Sequence, residues 1–188
     1  MSTVRVSFIV VNFNGGKMLE RCLESIKTQS LRDYEVIVVD NASSDGSCDL
    51  PFFSLPGWQL LRMDRNAGFS EANNAGLAKC SGEYVALINN DVVLSSSWTQ
   101  KMVEAIETAG NIGSVACRIV QQSNSALLDS AGFRLYSFGT CASWHGASAD
   151  SFAGKEHRPF GAVATAALYR RVAVNKVGFF HPEYFAYY

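Results

Sequence analysis

Three apolar runs of strand length constrain this chain more than any other feature, because each stops on a cluster of amides and carboxylates. Val4–Val11 ends at Asn12-Phe13-Asn14, Tyr34–Val39 at Asp40-Asn41, and Tyr84–Ile88 at Asn89-Asn90-Asp91. The runs are nearly continuous rather than alternating, which requires apolar cover on both faces of a sheet. Helical spacing fills the intervals: Met18, Leu19, Cys22, Leu23 and Ile26 follow the first run, and Trp98, Met102, Val103 and Ile106 follow the last. A further strand, Trp58–Met63, precedes a helix over Ser70–Lys79. Strand alternating with helix predicts an α/β fold with a largely parallel sheet. Ligands of such sheets gather at the carboxyl ends of the strands, where helix N-termini converge. One Asp at a strand end is an ordinary turn former or cap, but three polar clusters in register predict a polar crevice.

The rhythm changes after residue 111. Ser114–Val120, Leu127–Leu128, Phe133–Phe138 and Val163–Tyr169 read as short extended pieces, and Arg170–Lys176 as a last helix. No linker composition marks the break, so residues 1–188 read as one domain with halves 1–111 and 112–188. Ala42–Asp49 reads as a loop in which Ser44 or Asp45 caps a short helix confined by Pro51 and Pro56.

Sixteen Lys and Arg against seventeen Asp and Glu leave a net charge of −1, which argues against a nucleic-acid partner. No apolar stretch reaches the ~18 residues of a spanning helix. Met1–Arg5 leads straight into a strand without a basic leader or cleavage site, and the five cysteines include no Cys-x-x-Cys pair. Reduced thiols and a cytoplasmic location are the expectation. The first strand is followed by Asn12-Phe13-Asn14-Gly15-Gly16-Lys17-Met18, which is neither a Gly-x-Gly-x-x-Gly turn nor a phosphate-cradling Gly-Lys-Ser/Thr loop. Dehydrogenase and P-loop readings therefore fail, as does sugar-1-phosphate nucleotidyl transfer, which needs a glycine-rich, arginine-bearing loop there.

An ordered set of segments resembles family 2 glycosyltransferases: Val6–Asn14, Leu23–Ser30, Glu35–Gly46, Asn66–Phe69, Asn73–Gly76 and Gly82–Asp91. A weaker likeness continues through Gly161-Ala162, Arg170-Arg171 and Val177–Phe180. The resemblance implies a glycosyltransferase-A fold: a mostly parallel central sheet flanked by helices, with a smaller mixed β region in the second half. Residues 1–111 would bind the nucleotide sugar and 112–188 would form the acceptor side.

It further implies inverting transfer of a sugar from a UDP or dTDP donor, dTDP-rhamnose among them, to a glycan or lipid-linked glycan in cell-surface polysaccharide synthesis. Asp91 matches the last acid of the family's Asp-x-Asp motif and Asn89 stands at its first position, so these two are the implied ligands of Mn²⁺ or Mg²⁺. Asn-x-Asp is similar to the motif of rhamnosyltransferase-like members. Asp40 matches the acid that accepts the donor pyrimidine's ring N–H. Asn12, Asn14, Asn41, Arg65, Asn66, Gly68, Asn73 and Asn90 resemble donor-side positions; of Asn73 and Asn74, at least one is also placed to tie its helix to the neighbouring loop. Arg65 also reads as a solvated charge, and Gly68 and Gly76 as packing or turn glycines.

The family's base is an acid in a Glu-Asp pair after an aromatic run such as Phe185–Tyr188, so the resemblance implies a chain truncated before it, with His181 and Glu183 as lesser candidates. His145 and His157 read as solvent-facing. The alternative is a nucleotide-sugar-binding fragment without turnover. Loss of the following helix would leave Phe179, Phe180, Tyr184, Phe185, Tyr187 and Tyr188 exposed, favouring self-association, and peripheral contact with the inner membrane face accompanies a lipid-linked acceptor.

Overall fold

The computed structural model describes residues 4–152 and 158–186. Its centre is a six-stranded sheet ordered β3-β2-β1-β4-β10-β5. β1 (Val6–Asn12), β2 (Tyr34–Asp40), β3 (Trp58–Arg62) and β4 (Tyr84–Ile88) pair in parallel. β5 (Ser114–Ala116) and β10 (Ala166–Arg170) complete the sheet, with β10 antiparallel to both its neighbours. The helices are α1 (Gly16–Lys27), α2 (Gly68–Leu77), α3 (Trp98–Glu107) and α4 (Arg171–Val177).

Successive side chains of a strand point to opposite faces, and here both faces are apolar. Phe8, Val10, Val36, Val38, Ala86 and Ile88 pack beneath Leu19, Leu23 and Ile26 of α1 and Met102, Val103 and Ile106 of α3. Ile9, Ile37, Val39, Val85 and Leu87 form the other face with Ala72 of α2. This double cover accounts for the uninterrupted apolar runs. Gly76 lets α2 settle onto the second face: a Cβ there would lie 2.7 Å from Ile9 Cγ2 and 3.1 Å from Val39 Cγ2.

The second half departs from the sequence reading in detail. Ser114–Val120 is two strands, β5 in the main sheet and β6 (Ile119–Val120), which pairs with β7 (Leu128–Ser130). The break falls where Cys117 turns its thiol onto the Ala166 carbonyl, 3.3 Å away. Phe133–Phe138 ends early: β8 (Phe133–Leu135) pairs antiparallel with β9 (Cys141–Ser143), and the Tyr136 amide donates to the Thr140 carbonyl at 2.9 Å to close the turn. The smaller β region is thus two antiparallel ribbons.

The Ser44–Asp45 cap is also corrected. Asp45 does not cap a helix that follows it; the 3-10 turn Pro51–Ser54 begins on its own proline. Instead Asp45 Oδ2 accepts the Gly16 amide at 3.0 Å, a capping bond to the first residue of α1 from another loop, while Oδ1 accepts the Ser47 amide at 2.9 Å.

Gly76→Ala tests the close approach of α2. A helix-interior glycine replaced by alanine ordinarily gains up to about 1 kcal/mol; here the methyl group meets Ile9 and Val39, and a loss of about 1–3 kcal/mol is expected. Urea denaturation reads the sign.

Candidate functional site

The register of the parallel strands brings their polar ends into line. Asn12 of β1 pairs with Asp40 of β2, and Asp40 pairs with Arg62 of β3. Asn90, just past β4, donates its amide to Asn12 Oδ1 at 2.9 Å. From β2 to β4 is two strand spacings, about 10 Å, so Asp40 and the Asn89–Asp91 turn share one short rim. β10 runs the opposite way and so begins at this same rim: the Thr165 carbonyl accepts the Asn89 amide at 2.9 Å.

Asn12 is the centre of the rim rather than a group facing solvent. It is fully buried. Its Nδ2 faces Ser47 Oγ at 2.8 Å, Ser43 Oγ at 3.1 Å and Cys48 Sγ at 3.4 Å, and its Oδ1 takes Asn90. Gly15 is small because of it: a Cβ would sit 2.2 Å from Asn12 Oδ1 and 2.6 Å from Asn90 Nδ2. Both ends of its amide are thus engaged in holding the loop after β2 against the turn after β4. Asn14 is exposed, at φ 52°, and its Oδ1 accepts the Ser44 amide at 2.8 Å.

Asp40 is nearly enclosed, with its side chain 4% exposed. Oδ1 accepts the Ser43 amide at 2.9 Å and Oδ2 pairs with Arg62 Nη1 at 3.2 Å. The return of the chain to Oδ1 needs Ala42 at φ 63°, a left-handed conformation that costs a non-glycine residue about 1–2 kcal/mol. The Cys48 thiol also faces this carboxylate, so only part of its acceptor capacity is left. Arg62 itself is exposed and also reaches Asp49 Oδ1 at 3.3 Å.

Asn41 serves the loop before α2. Its Nδ2 donates to Asn66 Oδ1 at 2.8 Å and the Gly68 carbonyl at 3.2 Å, and its Oδ1 accepts the Ala67 amide at 2.9 Å. Asn66 Oδ1 also accepts the Gly68 amide at 3.0 Å. Asn73 is buried, its amide donated to the Phe69 carbonyl at 2.8 Å within its own helix. Asn41 thus ties the 66–68 loop to the end of β2, and Asn73 is bonded within its own helix. Arg65, exposed, pairs with the half-buried Glu71 at 2.9 Å.

Asp91 contrasts with all of these. It is exposed, and its carboxylate accepts no hydrogen bond from the described residues. Its charge is felt within: burial first, then Asp91, pushes the Cys22 thiol up to about 12. Asn89 is half-buried, its carbonyl engaged by the Val92 amide at 3.1 Å. Phe13 and Val93 stand exposed beside the rim.

His181 and Glu183 lie together on the surface, Nδ1 to Oε2 3.9 Å, with side chains 61% and 86% exposed. His145 is solvent-facing beside Asp129; His157 lies outside the described residues. The exposed aromatic patch is corrected in part. Phe179 and Phe180 pack against the α2-side core, Tyr184 and Phe185 are exposed, and Tyr187 and Tyr188 lie outside the described residues. Sequence reasoning missed Arg62, which strand register alone would reveal, and Ser43, Ser47 and Cys48, whose role depends on the folded loop.

A parallel sheet with this strand order, an antiparallel strand inserted beyond β4, and carboxylates after β2 and β4 define a glycosyltransferase-A fold. The chain belongs to the glycosyl transferase family 2, whose sequence profile matches residues 7–178. Among curated relatives, glycosyltransferase GlyG of Streptococcus pneumoniae is 27% identical over 105 residues, covering 54% of this chain and 35% of GlyG. The succinoglycan biosynthesis protein ExoO of Rhizobium meliloti is 31% identical over 106 residues, 56% of this chain and 30% of ExoO. The uncharacterized glycosyltransferase YwdF of Bacillus subtilis is 24% identical over 181 residues, 96% of this chain and 63% of YwdF.

Of solved structures, mannosyltransferase PcManGT from Pyrobaculum calidifontis, in complex with GDP-Man and Mn²⁺, superposes with a TM-score of 0.68 at 20% identity, covering 95% of this chain and 48% of that one. S. aureus TarS 1-349 in complex with UDP gives 0.67 at 16% identity, covering 97% and 52%. The chain thus spans about half the length of these structures and about a third of GlyG and ExoO.

Asn12→Ala removes the partner of Asn90 and of buried hydroxyls at once. A loss of about 2–3 kcal/mol in unfolding free energy is expected, read by urea denaturation. Asn12→Asp, which puts a carboxylate at this buried position beside Asp40, should cost at least as much as Asn12→Ala.

Proposed function

We propose that this chain is the donor-binding body of an inverting glycosyltransferase that takes its sugar from a pyrimidine nucleotide diphosphate. The observation that carries the reading is the single rim holding a partly satisfied, enclosed carboxylate at Asp40 and an exposed one at Asp91 that accepts no hydrogen bond from the described residues. An ionised carboxylate is a pure acceptor and suits the ring N–H of uracil or thymine. In the proposal Asp40 receives that edge, held in orientation by Ser43 and Arg62, and the diphosphate runs along the rim toward Asp91. Asn14 and Asn90 are proposed to line its path, while Asn66 and Gly68 shape the wall before α2.

Asp91 fits a divalent cation of the hard, oxygen-liking kind, Mg²⁺ or Mn²⁺. Its carboxylate accepts no hydrogen bond from the described residues, and the Asn89 amide oxygen is the nearby second donor in sequence. The described residues contain no group of three His, Cys, Asp or Glu side chains able to hold a metal. That donor set suits an ion shared with phosphate oxygens, since Mg²⁺ is commonly bound by one or two carboxylates plus substrate phosphates. When bound, such an ion neutralises charge on the departing diphosphate. The chain's own residues grip the base, orient the phosphates and leave the anomeric carbon open to an acceptor.

Residues 1–111 supply the donor half in this reading. Residues 112–188 supply the acceptor side, for a glycan or lipid-linked glycan of a surface polysaccharide, with peripheral attachment at the inner face of the membrane. The relative ExoO is named for succinoglycan biosynthesis, which supports that class of product. No helix among the described residues is long and apolar enough to cross a membrane. His181 and Glu183 face solvent as a pair, and neither is assigned as the base. That observation favours, as a second reading, a binding body without turnover; release of UDP or dTDP in the presence of acceptor separates the two.

Calorimetric titration with UDP, dTDP and GDP, with and without Mn²⁺, tests the proposal. Pyrimidine diphosphates are expected to bind, more tightly with Mn²⁺, and Mn²⁺ alone weakly. Asp91→Asn should lower affinity about tenfold, ~1.4 kcal/mol, only in the presence of the ion. Asp40→Ala should cost about 1–3 kcal/mol with or without it. Preference for GDP, or equal ion dependence in the Asp91 variant, overturns the assignment.

A further inference from the structure

The segment that follows α4 is laid along α2 as a strap. Asn74, half-buried on α2, makes two hydrogen bonds to one distant residue: its Nδ2 donates to the Phe180 carbonyl at 2.8 Å and its Oδ1 accepts the Phe180 amide at 3.2 Å. An amide side chain here pairs with main chain as a neighbouring strand would. The Phe180 ring meets Phe69 edge-on at 5.2 Å, and Phe179 meets Tyr169 at 5.5 Å. Farther on, the Phe185 carbonyl accepts the Phe69 amide at 2.5 Å. A Cβ on Gly68 would fall 2.4 Å from that carbonyl oxygen and 2.6 Å from the Phe185 ring, and φ there is +80°. Glycine at 68 is thus required twice over, by its backbone conformation and by the strap.

These contacts fix a direction. The six helical rises from Gly68 to Asn74 span about 9 Å of axis. The strap crosses Asn74 at Phe180 and reaches Gly68 at Phe185, so it runs from the middle of α2 toward its N-terminus. That N-terminus stands at the carboxyl edge of the sheet, because Asn41, directly after β2, holds Asn66, Ala67 and Gly68. Asp40, Asn41, the 66–68 loop and Phe185 form one chain of contacts.

We propose that Asn74 is a positioning residue: its amide aligns the strap 179–186 so that the strap's far end is delivered to the rim that holds Asp40 and Asp91. The inference rests on the donor-site reading for the meaning of that rim, and on geometry alone for the alignment. Asn74 touches no reacting atom; it acts through the main chain of Phe180.

Amide hydrogen exchange read by mass spectrometry tests it. In the chain without nucleotide, Asn74→Leu should speed exchange about tenfold at Phe180 and Tyr184 and at Phe69, whose amide donates to the Phe185 carbonyl, with the amides of β1, β2 and β4 unchanged. Asn74→Gln, which keeps both hydrogen-bonding groups, should restore part of the protection. With Mn²⁺ and UDP or dTDP, exchange of the same segment should slow in the parent but not in Asn74→Leu. Unchanged strap exchange in Asn74→Leu overturns the proposal, as does an effect of equal size in Asn74→Gln. So does nucleotide binding that leaves the parent's strap exchange untouched. Failure of the parent to bind any pyrimidine diphosphate overturns the donor-site reading instead, and the measurements without nucleotide then decide the alignment.

Discussion

One buried side-chain amide organises the working edge of this protein. Asn12 ends the central strand with no exposure to solvent, where an unpaired polar group would cost a few kcal/mol. Its two ends must therefore be met, and the groups that meet them come from the loop after β2 and the turn after β4. The requirement works as a geometric constraint: neither loop can leave its place without exposing a buried donor or acceptor. Gly15 follows from it, since any larger residue would occupy the space between Asn12 and Asn90.

Around that centre the polar residues divide into two kinds. Asn41, Asn66 and Asn73 are engaged with main chain, and they hold the entry to α2 rather than reach outward. Asp91 is exposed and unengaged by hydrogen bonds from the described residues. Asp40 lies between the extremes, enclosed yet with acceptor capacity left over. A rim of fully satisfied side chains would be inert. A rim of free ones would be disordered by repulsion and hydration. This arrangement has rigid amides as framework and carboxylates as the groups left to interact.

The first half of the fold was legible because burial on two faces writes itself into sequence as unbroken apolar runs, and β1, β2 and β4 appear almost residue for residue. β9 was not legible, since Cys141–Ser143 is only three residues long, none of them buried, with no alternation to read. The splitting of Ser114–Val120 was hidden because a kink at Cys117 depends on β10 arriving alongside. At the rim, residue types and strand ends revealed which polar groups come together. They did not separate framework from free groups, because that distinction lies in partners far away in sequence. Asp45 meets Gly16 across 29 residues, and Asn74 meets Phe180 across 106. Arg62 could have been found by extending the strand register one step further.

The reversed direction of β10 decides where the second half of the chain leaves and rejoins the sheet. Because that strand enters the sheet at the carboxyl edge, with Thr165 beside Asn89, the excursion between β5 and β10 both starts and finishes without altering the pairing of the first four strands. The length of that excursion can therefore change without shifting the register of the four parallel strands or the polar ends aligned on them.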